Sequence, residues 1–184
     1  MTPGTALTVA VLLTGMLGNA ATDAQQSPAA APAAVAANPL DTVPDKMPFD
    51  TPYGAPISLE RANVIIGAAV TEARKHDWKL NVAVVDSGGN LVAFQRMDGA
   101  QLASIQVAEH KARASAMYRR ETKVFENAIQ GGNTYVLTLD GVIGSRGGIP
   151  LVEGGRLIGA IGCSGATGSQ DEVVCKAGVA ALKP

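Results

Sequence analysis

The chain has 184 residues, of which 47% are hydrophobic, 17% charged and 4% aromatic, and this length suits one domain. The ample apolar fraction excludes wholesale disorder, and two cysteines exclude both a disulfide-dense scaffold and a four-cysteine zinc site. The formal net charge is −1, and 15 basic residues balance 15 acidic residues from residue 41 onward. We therefore expect no nucleic-acid partner, because general nucleic-acid binding needs a basic footprint.

The N-terminus has the pattern of an export signal. Residues 6–17 (ALTVAVLLTGML) form an apolar run of twelve, which is too short to span a bilayer and typical of a signal-peptide core. Gly18 and Ala20 supply small residues for cleavage after Ala20. The first five residues carry no Lys or Arg, so a wrongly assigned start or a membrane anchor stays an alternative. We expect an exported protein, periplasmic or secreted, with residues 1–20 as signal peptide.

Residues 21–52 are rich in Ala, Pro and Gln, which predicts a linker before a folded domain over residues 53–184. No later segment is long and uncharged enough for a membrane span, so we expect none in the mature protein.

The first half of the domain predicts a helix, a hairpin and a second helix. Ser58 has the position of an N-cap, and apolar residues at helical spacing continue to about His76. Residues 81–85 and 91–96 flank a Gly-Gly turn, which predicts a β-hairpin. Residues 102–118 contain no Gly or Pro and predict the second helix. Its small residues suggest close packing on the sheet, with one side expected to carry Ala103, Val107, Ala114 and Met117.

The second half predicts a short helix, a second hairpin and a last helix. Thr122 has the position of a cap for a short helix through Ile129, and residues 135–139 are an ambiguous strand. Residues 149–152 and 157–163 flank another Gly-Gly turn. Ser169 and Glu172 have the spacing of a capping box for a helix to about residue 182. Hairpins with helices covering them predict an α+β sandwich about one antiparallel sheet.

Several segments together resemble the GlcG/HbpS-like heme-binding family, which also includes the C-terminal domain of PduO-type proteins. The matching segments occur in order over essentially all of residues 53–184: ISLERA (57–62), VAVVDSGGNL (82–91), RMDGA (96–100), Ser104-Ile105, AEHKA (108–112), GGIPL (147–151), GAIGCSG (159–165), Asp171-Glu172 and Ala177-Gly178. One motif alone is weak, but the ordered set is specific. The resemblance implies a profilin-like α/β/α sandwich with a five-stranded antiparallel sheet, assembled as a homo-oligomer. It also implies binding of heme or a related tetrapyrrole.

The second helix departs from the family pattern at one position. Relatives commonly have a Thr, a proposed heme contact, where this chain has Ala114. A methyl group cannot ligate iron, so that mode of heme binding is not open to this chain. His110 is the first candidate to replace it, because imidazole is a common axial ligand of heme iron. The alternative is an exposed helical His between Glu109 and Lys111.

Other side chains near this helix are candidates for the same ligand. Tyr118, Met97 and Met117 have groups that ligate heme iron in some proteins. A basic cluster could meet the heme propionates, since guanidinium groups bind carboxylates bidentately; it comprises Lys111, Arg113, Arg119, Arg120 and Lys123.

Two further pairs leave alternatives open. Asp98 either caps the second helix, which the position favours, or pairs with Arg96 in a pocket. Cys163 and Cys175 lie twelve residues apart and form either a disulfide or two buried thiols.

The sequence thus predicts an exported heme-binding or tetrapyrrole-binding homo-oligomer, in heme scavenging or redox sensing. The cofactor-binding candidates are His110, Lys111, Arg96, Asp98, Arg113 and Tyr118, with His110 as the metal ligand. The alternatives are an enzyme that uses the same pocket on a small molecule, as an isomerase, a lyase or a heme-degrading enzyme, and an accessory module that meets another protein. No catalytic residue is assigned.

Overall fold

The structure is a computed structural model that describes residues 41–182. The chain divides after Val43, and the fold below belongs to the unit spanning residues 44–184. The predicted signal peptide and most of the predicted linker lie outside the described residues. Within residues 41–182, no helix has the length and apolar character needed to cross a membrane.

The first half follows the predicted order. Helix α1 spans Leu59–Lys75, and the Ser58 hydroxyl accepts a hydrogen bond from the Arg61 amide at 3.4 Å, as a side-chain N-cap does. Strands β1 (Asn81–Asp86) and β2 (Leu91–Arg96) form the first hairpin. The Asp86 carboxylate accepts hydrogen bonds from the amides of Gly88 and Asn90 and so holds the turn.

Helices α2 (Ser104–Tyr118) and α3 (Lys123–Gln130) follow, and then a 3₁₀ turn over Thr134–Thr138. The predicted strand over residues 135–139 is therefore wrong. Its apolar residues instead lie within a tight turn that buries Val136 and exposes Tyr135. Thr122 does not cap α3 with its side chain, because its hydroxyl accepts a hydrogen bond from the Gly148 amide at 3.0 Å.

Strands β3 (Gly148–Glu153) and β4 (Arg156–Ser164) form the second hairpin, and helix α4 spans Gly168–Ala180. The capping box of α4 lies two residues before the predicted one. Thr167 and Gln170 exchange the two side-chain-to-backbone hydrogen bonds, at 3.4 and 3.0 Å.

The four strands form one antiparallel sheet in the order β2-β1-β4-β3. The expected fifth strand is absent from the described residues. Beyond the end of β1, the segment from Pro52 to Ile57 lies beside β4 and makes a single parallel bridge between Tyr53 and Leu157. This segment bonds to β4 through only three backbone hydrogen bonds, so it does not form a regular strand.

Helices cover the sheet on both faces. Helices α1 and α4 pack on one face, where a large aliphatic cluster includes Ile65, Val84 and Ile161. Helix α2 packs on the other face through Ala108, Ala112 and Ala116. This contact is very close, since a Cβ added at Gly162 of β4 would overlap the carbonyl oxygen of Ala108. The α+β sandwich and the close approach of α2 agree with the sequence analysis.

Candidate functional site

The outer face of α2 and residues 140–141 enclose a groove. It comprises two adjoining cavities of about 320 and 390 Å³, which share Arg113 and Gly141. We call it the α2 groove, and its lining comprises Gln106, Glu109, His110, Arg113, Met117, Tyr118, Asp140 and Gly141. Three predicted site residues therefore lie together: His110, Arg113 and Tyr118.

The spacing of residues on α2 produces this arrangement. Residues 106, 110, 113 and 117 follow one another at intervals of three or four, so they share a helix face. The opposite face carries the alanines that pack on the sheet. The four residues expected along one side of α2 differ in exposure, since Ala103 and Met117 are exposed and Ala114 is buried.

Two side chains of α2 fasten residues 140–141 across the groove. The His110 Nε2 lies 3.1 Å from the carbonyl oxygen of Gly141, and the Tyr118 hydroxyl donates to the carbonyl oxygen of Asp140 at 2.6 Å. A carbonyl oxygen only accepts, so the His110 contact is a hydrogen bond when Nε2 carries the proton. The histidine is exposed and its other nitrogen has no hydrogen-bond partner among the described residues.

Arg113 joins the groove to the first hairpin. Its Nε donates to the Gly89 carbonyl oxygen at 3.2 Å, and its remaining guanidinium N–H groups have no hydrogen-bond partner among residues 41–182. Together with Glu109, the groove thus carries a carboxylate, an imidazole and a guanidinium along one helix face.

Lys111 lies on the other side of α2, away from the groove. Its side chain is 1% exposed, and its Nζ donates to the Asp171 carboxylate at 2.8 Å and to the Cys163 carbonyl oxygen at 3.1 Å. Burial raises the pKa of Asp171, and the Lys111 ammonium opposes this rise. Lys111 therefore joins α2 to α4 and β4 within the core and does not line the groove.

Ala114 is also buried, with 1% of its surface exposed. This position, where the resemblance implies a Thr, is not among the lining residues of the α2 groove, although His110 and Tyr118 lie one helical turn before and after it.

Arg96 and Asp98 line a separate cavity at the end of β2, with a volume of about 430 Å³. It shares no lining residue with the α2 groove. The favoured prediction that Asp98 caps α2 is wrong, because α2 begins after Ala103 with no side-chain cap. Arg96 and Asp98 do line one cavity, but no ion pair joins them.

The rest of the predicted basic cluster is dispersed. Arg119 lies over the ring of Tyr53, and Arg120 lies 3.5 Å from the ring centre of Phe49. Burial lowers the pKa of Arg120. Lys123 pairs with Glu172 on α4. These cations hold the N-terminal segment and α4 against the domain.

The two cysteines form a disulfide that joins β4 to α4. Met97 packs against the large core cluster, and Met117 lines the groove with half of its surface exposed. In the described part of the chain, no three His, Cys, Asp or Glu residues cluster as metal ligands do.

Asp140 and Gly141 were not predicted as site residues. No local pattern in the sequence shows that the segment after Leu139 returns to α2. The only signal was Gly141 itself, whose positive φ of 70° is readily adopted by glycine.

Comparison with known proteins identifies the family. Residues 57–180 match the family model described as "Haem degrading protein HbpS-like". The chain belongs to the HbpS-like family.

Relatives of this HbpS-like chain support that membership. Protein GlcG of Escherichia coli K12 is 41% identical over 108 residues, which cover 59% of this chain and 81% of GlcG. A crystal structure of an HbpS double mutant from Streptomyces reticuli has a TM-score of 0.66 and 31% identity, and the match covers 85% of this chain and all of that chain.

A third relative was crystallised with heme. The PduOC–heme complex has a TM-score of 0.64 and 26% identity, and the match covers 70% of this chain and 96% of that chain.

Proposed function

We propose that this protein binds heme or a related tetrapyrrole in the α2 groove, with His110 as the iron ligand. The observation that carries the proposal is the position of His110, whose exposed imidazole lines the α2 groove. The fold that carries this groove matches that of a heme complex over 70% of the chain. Three axial-ligand types known from heme proteins line this groove: an imidazole, a phenol and a thioether.

The residues of the groove fit such a ligand. Its two cavities fall within the range of about 300–1,000 Å³ that is usual for small-molecule and cofactor sites. Met117 supplies apolar surface and Arg113 supplies N–H groups for a propionate carboxylate. When bound, the heme supplies the redox-active iron, and the protein supplies ligation, orientation and charge.

His110 can ligate iron through Nε2 only after this atom leaves the Gly141 carbonyl. Iron ligation by Nε2 then requires that His110 release residues 140–141. Nδ1 is the alternative ligating atom, and it keeps the Gly141 contact intact.

A hemin titration of the folded domain tests the proposal. We expect the Soret band to shift and to saturate near one heme per subunit. H110Q should lose the shifted band, and H76Q is the matched control, because His76 is the second histidine and stacks on Trp78 outside the groove. A band that both variants retain would refute His110 as the ligand, and the absence of a saturable shift would refute heme binding.

The family description favours heme degradation as a second candidate activity of the same groove. With dioxygen as the oxidant and ascorbate as the reductant, a degrading enzyme bleaches the Soret band over time. A stable band under these conditions supports binding alone.

We also propose that the protein is exported and forms a homo-oligomer. The Cys163–Cys175 disulfide supports export, since such bonds persist mainly in oxidising compartments. Strand β2 is an edge strand with one unpaired side among the described residues, which a second copy would cover. Fractionation of cells and light scattering of the purified protein test these two statements; a cytosolic protein or a monomer would contradict them.

A further inference from the structure

A second cavity lies where β2 ends and helix α1 approaches it. Its volume is about 430 Å³, and its lining comprises Arg74, Lys79, Gln95, Arg96, Met97 and Asp98. We call it the β2-end cavity. It involves α1, which packs on the sheet face opposite to α2, and it shares no residue with the α2 groove.

The lining of this cavity is strongly cationic. Arg74, Lys79 and Arg96 contribute three positive charges against the single carboxylate of Asp98, although the whole chain has a net charge of −1. Lys79 already pairs with Asp77. Arg74 and Arg96 make no ion pair and no side-chain hydrogen bond with any residue from 41 to 182, so both guanidinium groups are available to an anion.

The hydrogen-bonding groups indicate what kind of anion fits. Guanidinium groups present paired N–H donors that match carboxylate and phosphate oxygens. The Asp98 carboxylate offers hydrogen-bond acceptors, so it favours a hydroxyl or an ammonium beside the anionic group. The Gln95 amide donates and accepts.

We propose that the β2-end cavity binds a small organic molecule that carries two negative charges on oxygen and an adjacent hydroxyl or ammonium group. Arg74 and Arg96 hold the oxyanion, and Asp98 accepts a hydrogen bond from the neutral or cationic donor. This site is independent of heme binding, because neither arginine touches the α2 groove.

The position of Trp78 provides a built-in reporter. It is the only tryptophan of the chain and immediately precedes Lys79. Calorimetry measures the affinity for the added anion, and a change in Trp78 fluorescence shows that the anion binds near Lys79. The probes are malate, succinate and inorganic phosphate at constant ionic strength and about pH 8, where an ordinary imidazole is neutral.

We expect saturable malate binding that R96Q and R74Q each weaken by about tenfold or more, the loss of one charge-assisted contact. R156Q is the matched control, because Arg156 is an exposed arginine at the start of β4 and outside the cavity. Preference for phosphate over malate would identify a phosphate compound as the ligand type.

Succinate lacks the hydroxyl of malate and tests the role of Asp98. We expect D98N to lower the affinity for malate more than the affinity for succinate. Equal effects of R96Q and R156Q, or no saturable binding of any probe, would overturn the proposal. R96Q should leave hemin affinity unchanged. The anion titration and the hemin titration therefore test the two proposals independently.

Discussion

Lys111 shows why a residue's chemistry does not reveal its exposure. The sequence places it beside His110 and within a run of basic residues, which indicated a ligand-facing cation. In the structure, successive helix positions point about 100° apart, so His110 faces the groove and Lys111 faces the core. The lysine is tolerated there because Asp171 and the Cys163 carbonyl replace the water that it loses.

Replacement of this lysine therefore tests a structural role. K111M leaves the Asp171 carboxylate buried without its cation, which we expect to lower the free energy of unfolding by about 3–5 kcal/mol. Urea unfolding followed by circular dichroism measures the loss. K123M is the matched control, because Lys123 pairs with Glu172 while 37% exposed, and such a pair contributes about 1 kcal/mol or less. Equal losses in both variants would contradict the buried ion pair.

Helix α4 shows what sequence reasoning does well and where it fails at the scale of elements. The predicted helix exists, but the pattern from Ser169 to Glu172 competed with a Thr-x-x-Gln pattern that begins two residues earlier. Thr167 has the extended backbone of an N-cap, with ψ of 154°, whereas Ser169 lies inside the helix. Glu172 is occupied by Lys123, Lys176 and Arg146 instead.

Two neighbouring substitutions distinguish these caps. We expect T167A to lower the free energy of unfolding by about 1 kcal/mol, because it removes a capping hydrogen bond. S169A should have little effect, since alanine suits a helix interior. Thermal or urea unfolding of both variants gives the comparison, and a larger loss in S169A would restore the sequence-based cap.

The segment from residue 134 to 141 is an element that local sequence could not place. Its apolar residues suggested a strand, but tertiary contacts fold it into a 3₁₀ turn and bring Asp140 and Gly141 to α2. Three of the six predicted binding residues line this groove because helical spacing fixes which residues share a face. The loop that completes the groove depends on distant contacts, which no local pattern encodes.

Removal of one hydroxyl tests the attachment of this loop. Y118F deletes the hydrogen bond to Asp140, so we expect faster amide exchange at residues 139–142, by about two- to tenfold, which corresponds to about 0.4–1.4 kcal/mol. Y135F is the matched control, because the Tyr135 hydroxyl has no hydrogen-bond partner among the described residues. If the loop must detach before His110 Nε2 binds iron, Y118F should also bind hemin faster. Unchanged exchange would show that the tyrosine does not hold the loop.

At the scale of the whole molecule, the two hairpins and the helices α1 to α4 of residues 41–182 form the expected α+β sandwich. The fifth strand was implied by resemblance alone, and here the segment from residue 52 to 57 replaces it with a few hydrogen bonds to β4. The two hairpins follow from short apolar runs on either side of Gly-Gly turns. The pairing of Cys163 with Cys175 does not, because only the packing of α4 on β4 brings their Cα atoms to 5.7 Å.

This disulfide should contribute measurably to global stability. A crosslink that closes a loop of this length stabilises a domain by about 3 kcal/mol in the chain-entropy model. We therefore expect a reductant present throughout urea unfolding to lower the midpoint of the wild type. The double variant C163A/C175A should show the same midpoint with and without reductant. A wild-type midpoint that the reductant does not change would contradict a formed disulfide.

The most direct test of the whole account is a crystal structure of the protein with hemin. We predict that the macrocycle lies against the outer face of α2, with a His110 ring nitrogen on the iron and Arg113 near a propionate. The β2-end cavity should hold no heme in that structure. A heme bound in that cavity, or ligated by a residue outside the α2 groove, would contradict the central claim.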